Sequence, residues 1–236
     1  LLTDNDGPLL ETVEAVQKYN PTAVYVPTNW VPDFFPGVKV QVFHGFDVGK
    51  RAGTRQEHAR ICGLYELYCT QGPNTTQQFE TKAKQYGHVK AIETGWPLLD
   101  PLFQPEKNTP LREKLGTDKP IILFGSTFSP TYSGARTLAS TIKRLSKAGR
   151  WHWLINLHPK MDQDVVETYK NMQGEHLTFI DNTQDTLPLL RAADVMLCDT
   201  SSFFLQFLIL NKPVVTFNTA VPGSHLLDVH NTEDIE

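Results

Sequence analysis

From residue 120 onward the chain keeps one rhythm. A short apolar run is followed by a polar break, then by a stretch with helical spacing, then by the next apolar run. Pro120–Phe124, Trp151–Leu157, Leu177–Ile180, Asp194–Cys198 and Pro213–Phe217 are predicted strands. Gly134–Ala148, Gln163–Met172, Thr186–Ala193 and Phe203–Leu210 are predicted helices between them. Pro188 fits the first turn of the third helix, where its missing N–H costs nothing. Continuously apolar strands alternating with helices predict a parallel sheet covered on both faces.

The first hundred residues follow the same pattern less regularly. Glu11–Tyr19 is a predicted helix, ended by Asn20-Pro21. Ala23–Val26 reads as a buried strand, and Val38–Phe43 as a strand running into His44-Gly45. Leu64–Thr70 and Val89–Glu93 are further strands, with a helix over Thr75–Tyr86 capped by Asn74. His152, between Trp151 and Trp153, is expected to point outward from its strand. The proline-marked stretch Asp100–Pro120 reads as a linker with one helix at Leu111–Leu115. The expected organisation is α/β, with one domain over 1–107 and a second over 108–236. The chain opens on Leu1 without a Met and closes on a polar run, so we read it as a piece of a longer protein whose first domain is incomplete.

Composition narrows the function classes. Of 236 residues, 40% are hydrophobic and 20% charged, a globular balance. The net charge of −4 and the scattered basic residues argue against nucleic acid as a partner. Three cysteines in no paired or zinc-like spacing point to a reducing, cytoplasmic compartment. No apolar stretch approaches the roughly 20 residues that span a bilayer, so any membrane contact is expected to be peripheral and made by parts outside this sequence. Nothing in the sequence calls for a metal or a cofactor.

Ligands of parallel α/β sheets bind beyond the carboxyl ends of the strands. The residues there are His44-Gly45, Gly125-Ser126-Thr127, His158-Pro159-Lys160, Asp181-Asn182 and Asp199-Thr200-Ser201-Ser202. Any one of these can be a solvated turn. The last, however, precedes a very apolar helix, and three hydroxyls after an aspartate exceed what capping needs. Small hydroxyls and free N–H groups at a helix start suit a phosphate. His158 and Lys160 can contact a pyrophosphate, and Gly45 would let a ligand approach the backbone. His44 is the candidate general base. Asp47 could orient its imidazole, although Lys50 is an equally good partner for Asp47.

The order His44-Gly45, Gly95-x-Pro97-x-x-Asp100, His158-Pro159, Asp194-x-x-x-x-Asp199-Thr200-Ser201-Ser202 and Lys212-Pro213 resembles the CDP-glycerol glycerophosphotransferase family, which includes teichoic-acid polymerases and primases. The resemblance implies a GT-B architecture of two Rossmann-like domains. It also implies transfer of a glycerol phosphate or other polyol phosphate from a CDP-linked donor to a hydroxyl of a polymer or lipid-linked acceptor, with release of CMP. His44 would match the family's base and His158 the histidine on the donor pyrophosphate. Ser201 and Ser202 would bind donor phosphate, and the cytidine would lie near Ser126, Thr127 and the Asp181 loop. Three other readings stand beside this one. His44-x-x-Asp47-x-Gly49-Lys50-Arg51 is faintly similar to a motif of UDP-N-acetylglucosamine 2-epimerases, which share the architecture. A generic GT-B glycosyltransferase is another, and a catalytically silent nucleotide-binding module is the last.

Overall fold

A computed structural model describes residues 7–46, 59–105, 110–181, 185–219 and 226–235. The chain forms two compact units, one reaching to Pro97 and the other beginning at Leu98. The expected domain boundary lay at 107/108.

The first unit carries α1 (Val13–Tyr19), β1 (Ala23–Val26), β2 (Val38–Gln41), β3 (Leu67–Thr70), α2 (Pro73–Ala83) and β4 (Lys90–Glu93). Its four strands are parallel, in the order β1-β2-β3-β4. Thr12 caps α1 by accepting from the Ala15 N–H at 3.1 Å, and Asn20 closes it in the left-handed conformation. β2 ends at Gln41, short of the expected Phe43, because Phe43 takes a φ of 58° and turns the chain. α2 starts at Pro73 with Gly72 in the cap position, not Asn74. Proline's fixed φ suits the first helical position, and Asn74 instead accepts from the Gln78 side chain at 3.1 Å. The core is aromatic: Tyr68 stacks on Phe79 at 4.7 Å, with Phe43 and Tyr65 beside them. Both tyrosine hydroxyls are tied, Tyr65 to the Thr28 carbonyl at 2.6 Å and Tyr68 to the Cys62 carbonyl at 3.1 Å. These bonds remove the cost of burying a phenol.

The second unit continues with α3 (Leu111–Leu115), β5 (Ile121–Ser126), α4 (Ala135–Ala148), β6 (His152–Leu157), α5 (Gln163–Lys170) and β7 (Leu177–Phe179). There follow α6 (Leu187–Ala192), β8 (Val195–Cys198), α7 (Phe203–Leu208), β9 (Val214–Phe217) and β10 (Leu227–Val229). All six strands are parallel, in the order β10-β9-β8-β5-β6-β7. Renumbered from one, this is the doubly wound order 3-2-1-4-5-6, which reverses between β5 and β8. α4 shows why the sheet is covered. Leu138, Ile142 and Leu145 recur at helical spacing and are all buried, each contributing roughly 1.5–3 kcal/mol. Gly149 ends this helix at φ 69°.

Two features were not foreseen. β10 is only three residues long at the sheet edge, too short to show an apolar period. His152 does not face outward: it is 4% exposed, and its Nε2 meets the Thr178 hydroxyl at 2.9 Å. Both faces of this sheet are covered, so alternation along a central strand does not lead to water. Among the described residues no helix is long and apolar enough to cross a membrane.

Candidate functional site

The reversal between β5 and β8 opens the crevice where doubly wound sheets bind ligands. Two aspartates hold these strands together from both ends. Asp194, just before β8, accepts from the Ile121 N–H at 2.8 Å and pairs with Arg112. Asp199, just after β8, is fully buried. It accepts from the Ser126 hydroxyl, from the Thr127 N–H at 2.9 Å and from the Gly134 N–H at 2.9 Å. The last of these is the first backbone N–H of the α4 entry, which has no side-chain cap. Asp199 therefore shapes the β5 exit loop from within, a different task from the donor contact expected of it.

Gly125 has a packing role. A Cβ there would meet the Phe203 ring at 2.7 Å, so glycine lets α7 seat against β5. Ser126 and Thr127 are buried, and Ser126 also meets the Ser133 hydroxyl at 2.9 Å. Thr200 is buried and meets Thr219 at 3.3 Å. Ser201 accepts from the Phe203 N–H at 3.3 Å, an ordinary turn bond. The Ser202 side chain makes no capping bond at the α7 start. Asp181 is exposed and pairs with Lys170 at 2.8 Å. Lys212 donates to the carbonyls of Leu190, Arg191 and Ala193 at 3.1, 2.8 and 2.6 Å, closing the end of α6. Burial pulls its pKa down from the ordinary lysine value.

The β6 exit lies against the β5 exit. The His158 N–H donates to the Ser126 carbonyl at 3.2 Å, and the His158 ring sits 4.5 Å from Phe128. Lys160 places its ammonium 5.8 Å from the same phenyl ring. The His158 Nδ1 accepts from the Lys160 N–H at 3.0 Å. A backbone N–H can only donate, so Nδ1 is bare and the proton sits on Nε2. Phe128, Ser133 and Thr219 join this group and were not foreseen. Their one signal in the sequence is position, directly after a strand exit or before a helix.

In the first unit, His44 follows β2 on the exposed side of the Phe43 turn. Its Nδ1 lies 2.9 Å from the Pro27 carbonyl. A carbonyl can only accept, so Nδ1 carries a proton, and in the neutral form of the ring the lone pair lies on Nε2. Pro27 thus orients the ring; Asp47, expected to do so, lies outside the described residues. Gly45 is half-buried beside His44.

The family model of CDP-glycerol:poly(glycerophosphate) glycerophosphotransferase matches residues 23–221. The chain belongs to this family. The teichoic acid glycerol-phosphate primase of Bacillus subtilis (strain 168) is 24% identical to this glycerophosphotransferase-family chain over 176 residues, covering 72% of it and 45% of the primase. The structure of the wall teichoic acid polymerase TagF matches with a TM-score of 0.57 at 16% identity, over 84% of this chain and 54% of that one. The structure of S. aureus MnaA with UDP matches at 0.61 and 14%, over 86% and 60%. The chain spans about half the length of the primase and of TagF. The structural matches establish an α/β fold of the GT-B type, as expected. The MnaA likeness is one of fold alone.

Proposed function

We propose that this chain is part of an enzyme that transfers glycerol phosphate from CDP-glycerol to a hydroxyl of a polyol-phosphate acceptor in teichoic-acid synthesis, releasing CMP. The family assignment supports the reaction class. The observation that carries the assignment of roles is the opposite protonation of the two exit histidines. His44 offers a bare Nε2 and is the base. His158 offers an Nε2–H and is the donor to the pyrophosphate.

In this reading His44 takes the proton of the acceptor hydroxyl as its oxygen attacks the β-phosphorus in line. The bond from that phosphorus to the bridging oxygen breaks, and CMP leaves with the electron pair. His158, Lys160 and the hydroxyls of Ser201 and Ser202 meet the charge that develops on the phosphates. Positioning and electrostatic stabilisation supply most of the rate in phosphoryl transfer. Donor contact at Thr127, Thr200 and Asp181 belongs to the same proposal. Any contact with a membrane surface would be peripheral.

The test is a thermal-shift screen of the full-length protein with CDP-glycerol, CDP-ribitol, UDP-N-acetylglucosamine and CMP, followed by assay of CMP release. Stabilisation by the cytidine nucleotides and CMP release from CDP-glycerol are expected. Stabilisation by the uridine nucleotide alone would replace this reading with the epimerase one.

A further inference from the structure

Beyond β9 the chain turns sharply. Asn218 takes a φ of 48°, and the next residue, Thr219, is buried. β10 holds this turn from the sheet edge. The Asn218 N–H donates to the Val229 carbonyl at 3.0 Å, and Asn218 Oδ1 meets His230 Nδ1 at 2.8 Å. Asp228 completes the hold. Its Oδ1 accepts from the Thr219 N–H at 3.0 Å and from the Thr216 hydroxyl at 2.7 Å. We propose that Asp228 is a positioning residue for the donor phosphates: it fixes Thr219, whose hydroxyl braces Thr200 at the head of the Thr200-Ser201-Ser202 loop. The inference rests on the transferase reading above and adds to it a residue outside positions 23–221, the span of the family match.

Three observations carry it. The first is the path. Asp228, Thr216, Cys198 and Gly125 are register partners across β10, β9, β8 and β5. A Cβ on Gly125 would meet Phe203, so this row underlies the face on which α7 packs. One step further along β9 and β8 stand the exits, where the Thr219 hydroxyl meets the Thr200 hydroxyl at 3.3 Å. Two hydrogen bonds thus lead from the Asp228 carboxylate to Thr200.

The second observation is repetition. Asp199 holds the β5 exit in the same manner, a buried carboxylate taking one hydroxyl and backbone N–H groups. Asp228 does this for the β9 exit. In the sheet β8 lies between β9 and β5, so the Thr200-Ser201-Ser202 loop stands between two fastened neighbours.

The third observation is cost. The Asp228 side chain is only 7% exposed, and its Oδ2 is buried without a hydrogen-bond partner. Among the described residues its ion-pair neighbour is His230, whose Nε2 stands 3.6 Å from Oδ2, too far for a hydrogen bond. A buried carboxylate oxygen without a donor lowers stability. A side chain kept at such a cost points to a task other than stability.

The test titrates the full-length protein with CDP-glycerol by calorimetry. Asp228→Ala should weaken binding by about tenfold, the scale of one lost hydrogen bond. Asp228→Asn keeps an oxygen for both donors and should recover most of the loss. In turnover, KM for CDP-glycerol should rise while the acceptor KM holds. Thr219→Val removes the hydroxyl that meets Thr200 and should weaken CDP-glycerol several-fold. Adding Asp228→Ala to Thr219→Val should cost less than Asp228→Ala costs alone, because the two act along one path. Fully additive losses would overturn the proposal. So would an Asp228→Ala protein with a lowered urea midpoint and the CDP-glycerol affinity of the wild type, since Asp228 would then serve the fold alone. Where Asp228→Ala does not fold, Thr219→Val decides, and wild-type affinity in that variant overturns the proposal. In each of these cases CMP release from CDP-glycerol would still support the transferase. UDP-N-acetylglucosamine is titrated in parallel. If it binds in place of CDP-glycerol and the same variants weaken it, the positioning role stands and the transferase reading falls. A wild type that binds neither nucleotide overturns both.

Discussion

Each unit places a histidine just past a parallel strand, and the two are held by opposite means. In the first unit the residue before His44 is Phe43, a bulky side chain in the left-handed region at φ 58° and only 3% exposed. That conformation costs an L-residue roughly 1–2 kcal/mol. It persists because Tyr68 and Phe79 enclose the ring, and strain of this kind gathers at functional sites. In the second unit no residue of the β5 or β6 exit takes a positive φ, and a buried carboxylate does the holding. Asp199 fastens the β5 exit, and that exit accepts the His158 N–H. The first arrangement aims one ring, and the second fixes a loop by giving its donors a common acceptor. Strain suits a single group that must point one way. A hydrogen-bonded loop suits several groups that must be spaced around an anion.

The contrast can be broken most sharply at His44. His44→Ala in the full-length protein should lower kcat by about 10²–10⁴-fold, the usual contribution of a general base, with the CDP-glycerol affinity nearly unchanged. Loss of donor binding with turnover intact would remove His44 from the base role. Next in size is Asp199→Ala, which leaves the Ser126 hydroxyl and two backbone N–H groups without their acceptor. The expected destabilisation is about 3–5 kcal/mol, read as a lower urea midpoint. An unchanged midpoint would mean that the loop is held by other bonds and that the comparison drawn here is wrong. Smaller again is His158→Ala. It should weaken CDP-glycerol by about 1.5–3 kcal/mol, the cost of one hydrogen bond to a charged group, and His158→Gln should recover part through its amide N–H. Equal donor affinity in wild type and both variants would free His158 from the pyrophosphate.

Much of the second unit could be read from the chain, because its strands are continuous apolar runs and its helices carry a clear stripe, as in Leu138, Ile142 and Leu145. The positions of His44 and His158 after their strands followed from the same pattern. The direction of each proton did not, since it depends on Pro27 and on the Lys160 N–H, backbone groups to which side-chain patterns are blind. Asp194, Asp199, Gly125 and Lys212 stood out in the sequence as motif residues. Their tasks are fastening strands, seating Phe203 and closing α6. A motif marks that a position is constrained and leaves open whether a ligand or the fold constrains it.

A third histidine sharpens the comparison at the smallest scale. His152 opens β6 at the end opposite His158, and there the surroundings work against charge. Burial, with the nearby His176 and Lys119 as lesser causes, lowers its pKa from the ordinary histidine value. Its Nε2 is taken up by Thr178, and its Nδ1 is buried without a partner. The unfolded chain therefore gains a proton on this residue at a higher pH than the folded protein does. Across that window the unfolded state binds more protons, so stability falls as pH falls. The contribution is complete above about pH 6.5 and declines below it. His152→Gln keeps a partner for Thr178 and removes the titration. Its urea midpoint should change less than that of the wild type between about pH 7.5 and pH 5.5, the interval that brackets an ordinary imidazole. Identical slopes in the two proteins would show that His152 takes up its proton as readily folded as unfolded.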